Sequence, residues 1–282
     1  MLTKIFLVDA MVQGPFTGAP TTVVFLESPM DKFKMLSLAN EMGTSQTVYV
    51  LLHSQAAYLL RFFSRAQELP MGVHASHAAA HLIFELGLLP PDEKIEFLTQ
   101  ESALIAKRVP SEQTEIGFSP ISMNKMDSAN LNAYAEVLSI NPKAITWAGV
   151  TPNRAAILFI DSTVPIRRLV PDREKLHKTG AAVLCVTSPD QSGGDYALRC
   201  FTPNLLLPEH QVSGNIHRCL APRWARTLGK KHLIAHQYSN RGALVRLEVS
   251  DPNQVLMTAK SLTILRSDLV AELQDSLASL AR

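Results

Sequence analysis

No apolar run in the 282-residue chain reaches the roughly 18 residues that a membrane-spanning helix needs. Cysteine is scarce: Cys185, Cys200 and Cys219 are an odd three without metal-ligand spacing, which excludes a disulfide framework and fits a reduced compartment. Charge of one sign is missing too, since 27 Lys and Arg against 25 Asp and Glu leave a net +2. Nothing forms a dense basic stripe, the nearest runs being Arg167-Arg168 and Lys230-Lys231, so no nucleic-acid partner is expected. There is no Walker loop, no G-x-G-x-x-G after a strand, no G-x-S-x-G elbow and no H-E-x-x-H. The start, Met1 to Asp9, has no cationic lead and only a short apolar run, so it reads as a strand and not as a secretion signal. These absences lead to an expected soluble, cytoplasmic protein with no cofactor, no metal, no membrane and no nucleic-acid partner.

What is present is enough hydrophobic material, 46%, for two domains that each bury a core. Runs rich in β-branched and aromatic residues predict strands over 5–8, 21–26, 47–52, 58–63, 95–99, 156–160, 182–186, 243–249 and 254–258. Helices are expected over 30–41, 76–86, 131–138, 216–228 and 267–281, the last with Leu269, Leu273, Leu277 and Leu280 forming a docking face. The mixture lacks regular βαβ alternation, which points to an α+β fold. A polar stretch at 119–127 separates an expected N-terminal lobe, 1–119, from a C-terminal lobe, 120–282, whose segment from about 264 can pack back on the first.

The two halves echo each other. Arg61-Phe62-Phe63-Ser64 leads to Glu68-Leu69-Pro70, then His74 and His77, and a helix ending at Leu86-Gly87. About 140 residues on, Arg199-Cys200-Phe201-Thr202 leads to Leu207-Pro208-Glu209, then Ser213-Gly214-Asn215 and His217, and a helix ending at Leu228-Gly229. Each copy reads as strand, Pro-bearing loop and helix, so the chain is expected to be a duplicated pair of lobes. Two such units face to face would bring two helix starts to one cleft. A helix start has unpaired N–H groups and partial positive charge, and so attracts a carboxylate. Gly72, Val73 and Ser76 lie at the first start, and Ser213, Gly214 and Asn215 at the second. Ordinary capping by Ser and Asn explains the same residues without a ligand.

These segments, in order, resemble the PhzF-like (phenazine biosynthesis F) isomerase family. Val8-Asp9-Ala10 and Pro15-Phe16-Thr17-Gly18-Ala19-Pro20 are similar to its opening strand and turn, and Met42-Gly43-Thr44-Ser45-Gln46-Thr47 to its Asn-Leu-Ser-Glu-Thr-like segment. The blocks from Arg61 to Ser76 and from Phe201 to His217 resemble its two helix-start motifs. Gln237-Tyr238-Ser239-Asn240-Arg241-Gly242 resembles a later Gln-x-x-x-Arg-Gly segment. The resemblance implies a fold like diaminopimelate epimerase, with two pseudo-symmetric lobes, each a sheet or barrel around a central helix. It also implies cofactor-free proton transfer beside a carboxylate, and a homodimer.

At the chemistry the match departs. Gln46 stands at the position of the family's proton-carrying glutamate, and an amide cannot take up a proton near neutrality. His210 stands at the family's aspartate; a histidine titrates near neutrality and can replace a carboxylate. Val73 replaces a glycine, Asn215 replaces a common serine, and His74 survives. Glu68 and Glu209 hold matching places in the repeat and read better as loop anchors than as proton carriers. His74, His77 and His81 share a helix face at i, i+3 and i+7, a spacing that could hold a metal but more simply packs. Two functions follow. One is a divergent isomerase or lyase acting on a small carboxylate metabolite, with His74 and His210 titrating and Gln46 orienting. The other is a binding protein that keeps the carboxylate site without the chemistry.

Overall fold

The computed structural model describes residues 4–203 and 208–270. In chain order its strands are β1 (Lys4–Ala10), β2 (Ala19–Leu26), β3 (Gln46–Ser54), β4 (Ala57–Phe63), β5 (Glu68–Leu69), β6 (Ile95–Leu98), β7 (Ala103–Val109), β8 (Gln113–Phe118), β9 (Asn124–Lys125), β10 (Ile145–Val150), β11 (Ala155–Ile160), β12 (Val183–Pro189), β13 (Tyr196–Phe201), β14 (His232–Gln237), β15 (Ala243–Asp251) and β16 (Gln254–Asp268). The helices are α1 (Lys32–Met42), α2 (Val73–Glu85), α3 (Ser128–Leu138), α4 (Arg173–Lys178) and α5 (Gly214–Leu228). The chain divides into two compact units, one built from residues up to Phe118 and from Leu256 on, the other from Ser119–Val255.

In the first unit the order β1-β2-β3-β4-β6-β7-β8-β16 returns to its start, because β1 pairs with both β2 and β16. The result is a closed eight-stranded barrel without free edges. Helix α2 packs against β1, β2, β3, β7 and β8, and nearly all of it is buried. Its sequence explains how a helix fits there: Ala75, Ala78, Ala79 and Ala80 keep it thin, and Leu82, Ile83 and Phe84 fill the rest of the interior. On the outer face, Met35, Leu38 and Ala39 of α1 cover Ile5, Val24, Tyr49 and Phe63. The turn between β1 and β2 needs glycine: Gly18 has φ +77°, and a Cβ there would lie 2.3 Å from the Ala10 carbonyl oxygen.

In the second unit the strands run β15-β14-β13-β12-β11-β10-β9, with β11–β12 and β13–β14 parallel and the other pairs antiparallel. Alternation divides each strand between two faces. Leu158, Leu184, Val186 and Ala197 pack with Tyr134, Val137 and Leu138 of α3 and Leu176 of α4. The opposite face meets α5, where Trp224 stacks on Tyr196 at 5.6 Å and its indole N–H donates to Thr187 Oγ1. All three cysteines are buried in this unit as free thiols. The α+β fold of two lobes, each a sheet or barrel with its own helix, is thus what the chain adopts.

Several expectations shift. Strands β7 and β8 escaped the sequence reading: the outer face of β8 carries Gln113, Glu115 and Gly117, and that of β7 mixes Ala103 and Ile105 with Lys107, so neither shows a clear apolar run. Helix α2 begins at Val73 rather than Ser76, so His74 lies in its first turn. The second unit ends at Val255 rather than running to 282, and the return starts at Leu256 rather than near 264. The reason is that β16 is one long strand whose far half pairs along β1. The helix expected over 267–281 begins inside that strand, where Ser267 and Asp268 pair with Ile5 and Lys4; its part from Ala271 lies outside the described residues.

Candidate functional site

The surface helices and the interior helices start differently. Asp31, Asp127 and Asp172 cap α1, α3 and α4 with their side chains, accepting from first-turn amides. Neither Gly72, ahead of α2, nor Ser213, ahead of α5, makes a side-chain cap. The amide ends of the two interior helices are therefore left to other partners.

At the start of α2 the backbone is packed tightly. A Cβ on Gly72 would lie 2.5 Å from Gln46 Oε1 and 2.7 Å from the Phe62 ring, so any larger residue would have to displace them. Gln46 opens β3 and is half-buried; its Oε1 is buried and makes no hydrogen bond among the described residues. His74 is buried, with its Nε2 3.4 Å from Ser45 Oγ, and the Ser45 hydroxyl donates to the Pro20 carbonyl. Gln46, Gly72 and His74 thus share one end of the barrel helix. Val73 and Ser76 turn elsewhere: Val73 is 1% exposed in the core, and the Ser76 hydroxyl donates to the Gly72 carbonyl at 2.9 Å. The side chains of these two expected site residues thus serve packing and the helix's own first turn.

At the start of α5, His210 Nδ1 lies 3.0 Å from Ser213 Oγ, and burial holds the His210 pKa below its ordinary value. Gln237, 1% exposed, holds both ends of this turn. Its Nε2 donates to the His210 carbonyl at 2.9 Å, and its Oε1 accepts from the Ser213 N–H at 2.7 Å. Gly214 and Asn215 form the first helical residues.

The repeated glutamates are anchors. Arg61 makes two bonds to Glu68, at 2.7 and 3.0 Å, and Lys32 adds a third at 3.0 Å. The Arg61 bond is the main reason the Glu68 carboxyl sits below its usual range. Arg199 grips Glu209 at 2.8 Å through both oxygens and also donates to the carbonyls of Ile166, Arg167 and Leu169.

The three helical histidines go to three different hydroxyls. His74 meets Ser45, His77 Nδ1 lies 2.7 Å from Thr114 Oγ1, and His81 Nε2 lies 3.1 Å from Thr263 Oγ1. Burial, reinforced by His74, pushes His77 down to about 3. His217 in α5 mirrors His77: its Nδ1 lies 2.7 Å from the Tyr196 hydroxyl, and burial pushes it down to about 4. Sequence reasoning missed Ser45 and the roles of Gln237, Thr114 and Tyr196. Gln237 and Ser45 had a signal, their places in family-like segments, whereas Thr114 and Tyr196 come from distant strands and carry none.

Comparison with known proteins covers nearly all of the chain. A family model described as phenazine biosynthesis-like protein (PhzC-PhzF) matches residues 8–265. A protein of Halalkalibacterium halodurans named an uncharacterized isomerase is 32% identical over 273 residues, spanning 96% of this chain and 99% of that one. A crystal structure of a PhzF-family phenazine biosynthesis protein from Enterococcus faecalis superposes with a TM-score of 0.84 at 25% identity, covering 96% of this chain and 100% of the other. A hydroxyproline epimerase from Agrobacterium vitis has the same fold, with a TM-score of 0.62 at 11% identity and coverage of 96% and 93%.

Proposed function

The chain belongs to the phenazine biosynthesis-like (PhzC-PhzF) family, and on that premise we propose that it is a divergent isomerase or lyase moving a proton on a small carboxylate metabolite without a cofactor. The observation that carries this reading is the pair of helix starts whose preceding residue makes no side-chain cap, each beside a histidine within reach of a serine hydroxyl. Backbone amides of a helix's first turn suit a carboxylate. A histidine supplies a proton acceptor or donor near neutral pH, provided it reaches the reacting carbon. In this reading His74 and His210 titrate. Gln46 orients the substrate through its amide, while Gly72, Gly214 and the Ser213–Asn215 turn bring backbone to the carboxylate. Val73 and Ser76 take part through backbone alone.

A second reading has its own support. Gln46, at the place of the family's glutamate, cannot accept a proton, so the same residues would also suit a protein that binds the carboxylate and leaves it unchanged. Incubation with 2-amino and 2-hydroxy acids in deuterated water separates the two: carbon-bound deuterium supports the enzyme, whereas saturable binding with no exchange across the panel supports the binder. Gln46→Glu sharpens the result, since restoring a carboxylate should raise exchange at least tenfold. A cytoplasmic homodimer completes the proposal, by resemblance to the family; sedimentation of the purified chain tests the dimer. Among the described residues no helix is long and apolar enough to cross a membrane.

A further inference from the structure

In the segment Gln237-Tyr238-Ser239-Asn240-Arg241-Gly242, two side chains hold the turn that carries His210. Residues 208–210 lie against the end of β13: Thr202 N–H donates to the Pro208 carbonyl, Phe201 bridges Glu209, and His210 N–H donates to the Cys200 carbonyl. β14 lies parallel to β13 and places Gln237 opposite Leu198. From there the Gln237 amide spans the turn, donating to the His210 carbonyl at 2.9 Å and accepting from Ser213 N–H at 2.7 Å. Ser239 adds a neighbouring tie, its hydroxyl donating to the Gln211 carbonyl at 2.6 Å.

Both bonds need an amide in one orientation. A carboxylate could not donate to the His210 carbonyl, and an amine could not accept from Ser213. Gln237 is also buried, so its bonds are made where loss leaves two backbone groups unsatisfied. Ser213 in turn is the residue whose Oγ meets His210 Nδ1 at 3.0 Å.

We infer that Gln237 is a positioning residue: by fixing the 210–213 turn at both ends it sets the ring of His210 against Ser213 and aims the first turn of α5. The inference rests on the reading that His210 is a titrating group of the site, and it acts through His210 without touching substrate. Glu209, next to His210 in the chain, is already held by Arg199. Gln237 therefore works by geometry, through the backbone at the two ends of the turn.

The test is a pH titration of His210 by NMR in the full chain, which needs no substrate. Gln237→Met should keep the fold but loosen the turn, moving the His210 midpoint up towards its ordinary value and weakening the Nδ1 contact with Ser213. An active protein should also lose about tenfold in exchange rate, with little change in the substrate concentration at half-maximal rate. A folded Gln237→Met protein whose His210 titrates as in the parent overturns the inference. Should that variant not fold, Gln237→Asn, whose shorter side chain keeps at most one of the two bonds, is read the same way. Absence of exchange in the parent would defeat the proposed function while leaving the His210 result intact.

Discussion

The start of α2 and the start of α5 are the same device built from different residues. Ahead of α2 a glycine is pressed against Gln46 and Phe62, and the geometry is held by close packing. Ahead of α5 a serine takes the same place, and the geometry is held by the buried amide of Gln237. Inside each helix a neutral histidine leans on a strand hydroxyl, Thr114 in one unit and Tyr196 in the other. Before each helix an arginine grips a glutamate. A duplicated unit can therefore keep its architecture while exchanging sterics for hydrogen bonds at the start of its helix.

The comparison breaks hardest at the arginines. Arg199 binds Glu209 and three carbonyls, and among the described residues no second cation holds Glu209, so Arg199→Leu should cost about 3–5 kcal/mol in chemical unfolding. Arg61→Leu leaves Lys32 on Glu68 and should cost about 2 kcal/mol. Equal losses would show that the two anchors are equivalent after all.

Acid sharpens the parallel between the buried histidines. Both have folded pKa values below the ordinary 6.5, so below pH 6.5 the unfolded chain binds protons that the folded chain refuses, and stability falls with pH. At pH 5 each should account for about 2 kcal/mol of that fall. The fall continues to about pH 3 for His77 and stops near pH 4 for His217. Unfolding curves from pH 7.5 to 4 should flatten in His77→Leu and in His217→Leu. An unchanged slope in both would mean that other groups govern acid sensitivity.

The smallest contrast lies at the helix starts themselves. Gly72→Ala forces a methyl against Gln46 and the Phe62 ring and should lower stability by about 1.5 kcal/mol. Ser213→Ala removes only the hydroxyl that meets His210 and should cost about 1 kcal/mol. Thermal unfolding of both variants gives the order; the reverse order would mean that packing is not what holds the first start.

The sequence by itself determined the family, the two-lobed α+β plan and the repeat, because each rests on local order: Arg61 to Glu68 to helix, Arg199 to Glu209 to helix. It also determined that Gln46 cannot do the work of a glutamate, since that follows from the side chain alone. Only the tertiary structure decided that β16 returns to close the first barrel, because closure is a pairing between Ser267 and Ile5 at opposite ends of the chain. The same holds for the Ser45 hydroxyl beside His74, for the hydroxyls of Thr114 and Tyr196 beside His77 and His217, and for the grip of Gln237 on the turn before α5. Hydrogen bonds between residues tens of positions apart leave no spacing to read, and they exist only once the strands that carry them are side by side.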